Sequence, residues 1–173
     1  MGPTLYVNGA FNDGRYLDFT NAPCPPELSG GGSGTPIGAP GAPGTNSPLV
    51  CDISGQRLPG ISKWAFSYGA EYAAPGNALG QSGEGYVGFD ASSRTAFSSN
   101  ASRSIYTDID GYTLANARVG FRTDNGINAF LWMRNVFDKR YFEVLATTPG
   151  NTGLISGNVG DARTYGVKVG ISF

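Results

Sequence analysis

Arg163-Thr-Tyr-Gly-Val-Lys-Val-Gly-Ile-Ser-Phe173 closes the sequence on a strict two-residue repeat. Tyr165, Val167, Val169, Ile171 and Phe173 share one parity, while Gly166, Lys168, Gly170 and Ser172 share the other. Successive side chains of an extended chain point to opposite faces, so the segment makes a strand with one apolar face and one small or polar face. Termini of water-soluble domains are usually loosely held, whereas this apolar row runs out to a phenylalanine carrying the terminal carboxylate. An aromatic ring closing an apolar band beside a hydrated charge suits a membrane interface. The last strand of a soluble sandwich alternates in the same way, and on this segment alone both readings stand.

The repeat recurs upstream. Over Lys63–Tyr72, Trp64, Phe66, Tyr68, Ala70 and Tyr72 oppose Lys63, Ala65, Ser67, Gly69 and Glu71. Gly85–Phe97 sets Val87, Phe89 and Ala91 against Gly88, Asp90, Ser92 and Arg94, and Tyr112–Arg122 sets Ala115, Ala117, Val119 and Phe121 against Asn116, Arg118, Gly120 and Arg122. In Ala129–Phe137 the second face is mixed, because Phe130 and Trp132 accompany Arg134. Leu5, Val7, Gly9 and Phe11 mark a first strand. Asp124-Asn125-Gly126 is a strong hairpin signal, and Pro75-Gly76-Asn77 reads as a second tight turn.

Connection lengths sharpen the fold. Residues 20–60 hold most of the 11 prolines and the Gly30-Gly31-Gly32-Ser33-Gly34 run, a length unusual in a compact domain unless the loop is a surface lid. Long connections at 20–60, 98–110 and 142–162 alternate with the two tight turns. The pattern predicts an all-β, six-stranded antiparallel up-and-down meander. Its long loops then lie on one side and its tight turns on the other, the asymmetry of an outer-membrane barrel.

Composition narrows the function classes. With 14% charged residues, a formal net charge of −1 and no basic run, nothing favours nucleic acid. Histidine is absent, which removes the commonest general base and metal ligand, and two cysteines are too few for the usual four-ligand zinc site. No cofactor is expected. Asp108 and Asp110 offer paired carboxylates, but they sit in a polar loop with no partner acid to complete a glycosidase pair, so an enzyme is not expected. Cys24 and Cys51 lie in one Gly/Pro-rich segment, where a disulfide clipping the loop in an oxidising compartment is preferred over two free thiols. No apolar run is long enough for a transmembrane helix, which leaves a β-barrel open. Met1-Gly-Pro-Thr-Leu5 lacks the features of a signal peptide, so a chain built for the envelope is expected to be a fragment.

On this parity Glu71, Asp90, Arg94, Arg118, Arg122, Arg134 and Lys168 face a wet lumen. There they serve either as cross-strand ion pairs or as guides for an anionic chelate. Trp64, Tyr68, Tyr72, Phe89, Phe121, Phe137 and Phe173 face lipid or form interfacial girdles, a sugar-stacking platform being the lesser reading. Asn135 shares that apolar parity and has no role assignable from sequence.

Several segments resemble TonB-dependent outer-membrane receptors. Leu131-Trp-Met-Arg-Asn-Val-Phe-Asp-Lys-Arg-Tyr141 is similar to that family's Asn-Leu-Phe-Asp-Lys-x-Tyr motif, with Val136 where leucine is commoner. Leu58-Pro59-Gly60 before Lys63-Trp64 resembles its Leu-Pro-Gly-x-Pro-Lys strand start, with Ile61-Ser62 departing from it. Gly111-Tyr-Thr-Leu-Ala-Asn-Ala-Arg118 resembles Gly-Tyr-x-Leu-x-Asn-Ala-Arg, and Gly160-Asp-Ala-Arg-Thr-Tyr-Gly166 resembles Gly-Asp-Pro-Arg-Thr-Tyr-Gly with Ala162 for proline. The resemblance covers Leu58–Phe173 well and the first strand loosely. It implies that residues 1–173 form the C-terminal part of a transmembrane barrel of about 22 strands, without the plug and TonB-contacting box that lie upstream in the family. It further implies an outer-membrane active-transport receptor, driven by TonB, for a scarce nutrient, with ferric siderophores ahead of cobalamin and carbohydrate. The implied partners are the rest of the barrel and its plug, TonB, the lipid bilayer and the barrel assembly machinery, which reads the terminal row Tyr165, Val167, Val169, Ile171 and Phe173. A porin-like passive barrel and a soluble carbohydrate-binding β-sandwich are the alternatives.

Overall fold

The computed structural model describes residues 2–25, 27, 50–101, 104–148 and 154–172. The described strands are β1 (Thr4–Phe11), β2 (Ala22–Pro23), β3 (Val50–Cys51), β4 (Trp64–Ala78), β5 (Gln81–Arg94), β6 (Phe97–Ser98), β7 (Asp108–Ile109), β8 (Tyr112–Thr123), β9 (Ile127–Arg134), β10 (Phe142–Thr147), β11 (Ile155–Val159) and β12 (Thr164–Ile171), with a 3-10 turn at Ile105–Thr107. The protein is all-β. Six strands form one antiparallel sheet in the order β1-β4-β5-β8-β9-β12, a meander in which the two-stranded ladders β2-β3, β6-β7 and β10-β11 are excursions from the connections. The sheet is open, with β1 and β12 at its edges.

Register preserves parity across all six strands. Thr4 pairs with Glu71, Glu71 with Gly88, Gly88 with Arg118, Arg118 with Trp132, and Trp132 with Gly166. Opposed residues of an antiparallel pair lie on the same face, so this row runs across one face of the sheet. Leu5, Ala70, Phe89, Ala117, Met133 and Tyr165 make the corresponding row on the other.

Four expectations need correction. Pro75-Gly76-Asn77 is not a turn: β4 continues to Ala78, pairing Pro75 with Glu84, and the reversal falls at Leu79-Gly80, both at positive φ (49° and 76°). Two central residues at positive φ match the right-handed twist of a hairpin. Proline is tolerated here because β1 covers β4 only as far as Glu71, leaving an edge beyond it. The third sheet strand stops at Arg94 rather than Phe97, since Phe97 enters the β6-β7 ladder. The fifth stops at Arg134, because Asn135 and Asp138 take positive φ (49° and 51°) and end the ladder; Phe137 therefore lies beyond the strand. The Asn125-Gly126 reversal stands where the sequence puts it, with Gly126 at φ 85°. Residues 142–162 also carry more structure than a loop, pairing as the β10-β11 hairpin.

The three long connections gather at one end of the sheet and interlock. Ser99 Oγ donates to the Thr107 carbonyl (3.0 Å) and accepts from the Leu145 N–H (2.9 Å). The Glu27 carboxylate accepts from Ser104 Oγ (2.8 Å) and from the Ile105 N–H (2.9 Å). Cys24 and Cys51 form a disulfide with Cα atoms 5.0 Å apart, across 27 positions of sequence. Closing a loop of that length stabilises by roughly 3 to 4 kcal/mol in the chain-entropy account. Asp13 pairs with Arg15 (3.2 Å) and Arg57 (3.3 Å), and the Arg15 hydrogen bond in particular holds its carboxyl below the usual range. Ala22, Cys24, Ile53, Phe97 and Ile109 are buried at this end, whereas most large apolar side chains of the sheet remain exposed. Most of the buried apolar side chains thus belong to the connections, and the sheet itself buries only Tyr86, Ala91 and Ala115 among the described residues.

Candidate functional site

One face of the sheet carries a charge network that no single strand contains. Glu71 on β4 receives Arg118 Nη2 (3.0 Å) and Arg122 Nη2 (2.9 Å) from β8, on the far side of β5. Arg118 Nη1 reaches Asp90 of the intervening strand (3.3 Å), and Asn116 Nδ2 donates to the same carboxylate (2.7 Å). Arg122 lies 4.4 Å over the Tyr86 ring, and Tyr86 donates to Asn128 Oδ1 (2.9 Å). Small residues create the room. A Cβ at Gly88 would stand 2.8 Å from Arg118 Nε, and one at Gly166 2.7 Å from the Trp132 ring, so both long side chains lie flat across a neighbouring glycine.

Of the residues expected to line a lumen, the structure brings Glu71, Asp90, Arg118 and Arg122 together and leaves three apart. Arg94 is tied into the connections: Nε donates to Ser62 Oγ (2.8 Å), Nη2 to the Gly60 carbonyl (3.1 Å), and the guanidinium stacks 3.7 Å over Phe97. Arg134 rests 5.4 Å over Trp132, and neither it nor Lys168 has a carboxylate partner among the described residues.

Nearer the long connections the same face is mostly neutral, Arg94 being its one charge in the two rows. Asn8, Ser67, Ser92 and Leu114 form one cross-strand row, and Ala10, Ala65, Arg94 and Tyr112 the next. These rows floor an open cavity of about 720 Å³ walled by Tyr141 and Glu143. The Tyr112 and Tyr141 rings meet with centroids 4.5 Å apart, and burial pushes the Tyr141 phenol up, keeping it neutral.

The opposite face is apolar and bare. Leu5, Val7, Phe11, Trp64, Phe66, Tyr72, Val87, Phe89, Val119 and Leu131 are exposed on it. Tyr165, Val167, Val169 and Ile171 complete it on β12, at 77%, 68%, 64% and 60% exposure. Phe173 lies outside the described residues. An apolar groove of about 740 Å³ runs between Val87, Val119, Leu131 and Val167.

Asn135 gains a role that its parity conceals. It is buried, donates through Nδ2 to the carbonyls of Lys139 (2.9 Å) and Asp161 (3.1 Å), and accepts the Lys139 N–H at Oδ1 (2.8 Å). Asp138 Oδ1 accepts the Arg163 N–H (3.3 Å), and Tyr141 accepts the Gly160 N–H at its carbonyl (2.9 Å). Two segments distant in sequence, 135–141 and 160–163, thus form one clamp between the end of β9 and the start of β12. The only sequence signal for it is the local preference of Asn for left-handed backbone and of Asx side chains for nearby N–H groups.

No family model matches the chain, and no curated protein matches it.

Proposed function

We propose that this chain is the C-terminal part of the barrel of a TonB-dependent outer-membrane receptor, working in energy-driven uptake of a scarce nutrient such as a ferric siderophore. The observation that carries the reading is the opposition of faces within a single sheet. An apolar face of this extent, bare in water, is a liability for a soluble monomer, while an apolar band outside and a polar lining inside are the requirements of a barrel wall in lipid. A soluble carbohydrate-binding sandwich would bury the apolar row against a second sheet, and no described strand covers it. The order of long connections and tight turns agrees, as do the segments that resemble the family.

Open edges agree as well. Each unpaired backbone group costs several kcal/mol in hydrocarbon, so β1 and β12 require further strands of the same receptor. The ion network then faces the plug, the clamp at Asn135 fixes the strand read by the barrel assembly machinery, and TonB acts through the plug. A porin-like passive barrel would share the wall but not the dependence on TonB.

The two tryptophans make the test. Trp64 has the parity of the apolar face and Trp132 that of the ion network. In the complete protein reconstituted with brominated lipid, fluorescence of Trp64 is expected to be quenched by the lipid and that of Trp132 by aqueous iodide, each assigned by replacing it with Phe. Equal lipid quenching of both would exclude a barrel wall. Uptake that persists in cells lacking TonB would exclude the receptor.

A further inference from the structure

The cavity at the long-connection end differs in chemistry from the charged rows below it. Asn8, Ser67 and Ser92 present an amide and two hydroxyls in one cross-strand row, with strands about 4.8 Å apart. None of the three side chains has a hydrogen-bond partner among the described residues, in contrast to Asn116, Asn128 and Asn135, which are all engaged. The Tyr112–Tyr141 pair stands beside them, two half-buried rings with both apolar surface and a phenol to offer. Charge decides what fits. The one cation among the cavity's described lining residues, Arg94, already donates to Ser62 and Gly60 and stacks on Phe97. Its one unengaged charge is the carboxylate of Glu143, which makes no ion pair among the described residues and sits at the wall. Among the described lining residues, an anionic chelate would meet a free carboxylate and no free cation, a like-charge contact that disfavours it. A compound with several hydroxyls would meet an acceptor carboxylate, three vacant neutral groups and an aromatic wall, with a volume inside the range of small-molecule sites.

We infer that this cavity binds a neutral, hydroxyl-rich ring compound of the saccharide class, held by Asn8, Ser67, Ser92 and Glu143 and stacked against Tyr112 and Tyr141. The inference rests on the barrel reading, since it makes this end of the sheet the mouth through which substrate is taken up. It departs from the ferric chelate that the family resemblance puts first.

The experiment uses the complete outer-membrane protein in detergent, titrated calorimetrically with a panel of neutral mono- to tetrasaccharides and with ferric citrate as the anionic arm. Saturable binding of at least one saccharide is expected. Ser92→Leu and Glu143→Gln should each weaken it about tenfold, the loss of one or two hydrogen bonds, and Ser92→Ala should weaken it less than Ser92→Leu. Binding of ferric citrate with a silent saccharide panel would overturn the assignment. So would silence in every arm, or saccharide affinity unchanged in both Ser92→Leu and Glu143→Gln. Heat-modifiable migration in gels is read on every sample: its presence with a silent panel removes the ligand assignment alone, while its absence from the wild-type protein removes the barrel reading.

Discussion

The two faces of the six-stranded sheet are made by alternate residues of the same strands, yet they are held in opposite ways. On one, Glu71, Asp90, Arg118 and Arg122 satisfy one another across β4, β5 and β8. On the other, Val119, Leu131 and Val167 touch little and stay exposed. A soluble sheet hides its apolar face and hydrates its polar one. Here the polar face is organised by its own partners and the apolar face is left for an external solvent. The difference teaches that the stability of this sheet depends on what covers its apolar face, which on the proposed barrel reading is hydrocarbon, with water or protein on the other side.

The largest effect should come from placing a charge on the wrong face. On the proposed barrel reading, Val167→Arg should destabilise the membrane-inserted protein by up to about 2 to 4 kcal/mol, the cost of an arginine on the lipid face of a barrel at mid-bilayer, measured by denaturant unfolding in lipid vesicles. Gly170→Arg, on the same strand but of opposite parity, points into open space and should change stability by less than about 0.5 kcal/mol. Equal costs at the two positions would break the contrast between faces.

Asn135 tests a residue that belongs to neither face. It has apolar-face parity, but Asn135→Ala removes three hydrogen bonds to backbone groups and forces alanine into a left-handed conformation. A loss of about 2 to 3 kcal/mol is expected in the same assay. Asn135→Gly keeps the backbone freedom and should recover about 1 kcal/mol of that. If Asn135→Leu were tolerated as a lipid-facing apolar residue would be, the clamp would have no structural weight.

The smallest effect belongs to the ion network. Glu71→Gln leaves Arg118 and Arg122 with a neutral acceptor, and because these side chains are a quarter to two-fifths exposed the cost should be about 1 kcal/mol or less. It should shrink further as salt rises from 0.1 M to 1 M, where the screening length falls from about 10 to 3 Å. A cost that does not respond to salt would mean that Glu71 acts through packing rather than charge.

What the sequence determined by itself is everything that depends on alternation. Parity alone assigned Tyr165, Val167, Val169 and Ile171 to one face and Glu71, Asp90, Arg118 and Arg122 to the other, because the side-chain period of a strand is two and a register slip of one residue would invert every face at once. Asn125-Gly126 marked its turn because the positive φ taken there by Gly126 is a local property of glycine. Cys24 had no partner in the chain but Cys51, yet the sequence left two free thiols open, and the structure decided for the disulfide by bringing their Cα atoms to 5.0 Å. The tertiary structure decided what depends on neighbours far along the chain. Pro75 could continue a strand only because β1 ends its cover at Glu71, so that this stretch of β4 is an edge. Arg94 has the parity of a lumen cation but is committed to Ser62 and Gly60, partners more than thirty positions away. The Asn135 clamp closes on Asp161, 26 positions on. Local periodicity carries no record of such contacts, because it fixes which way a side chain points but not what stands opposite it.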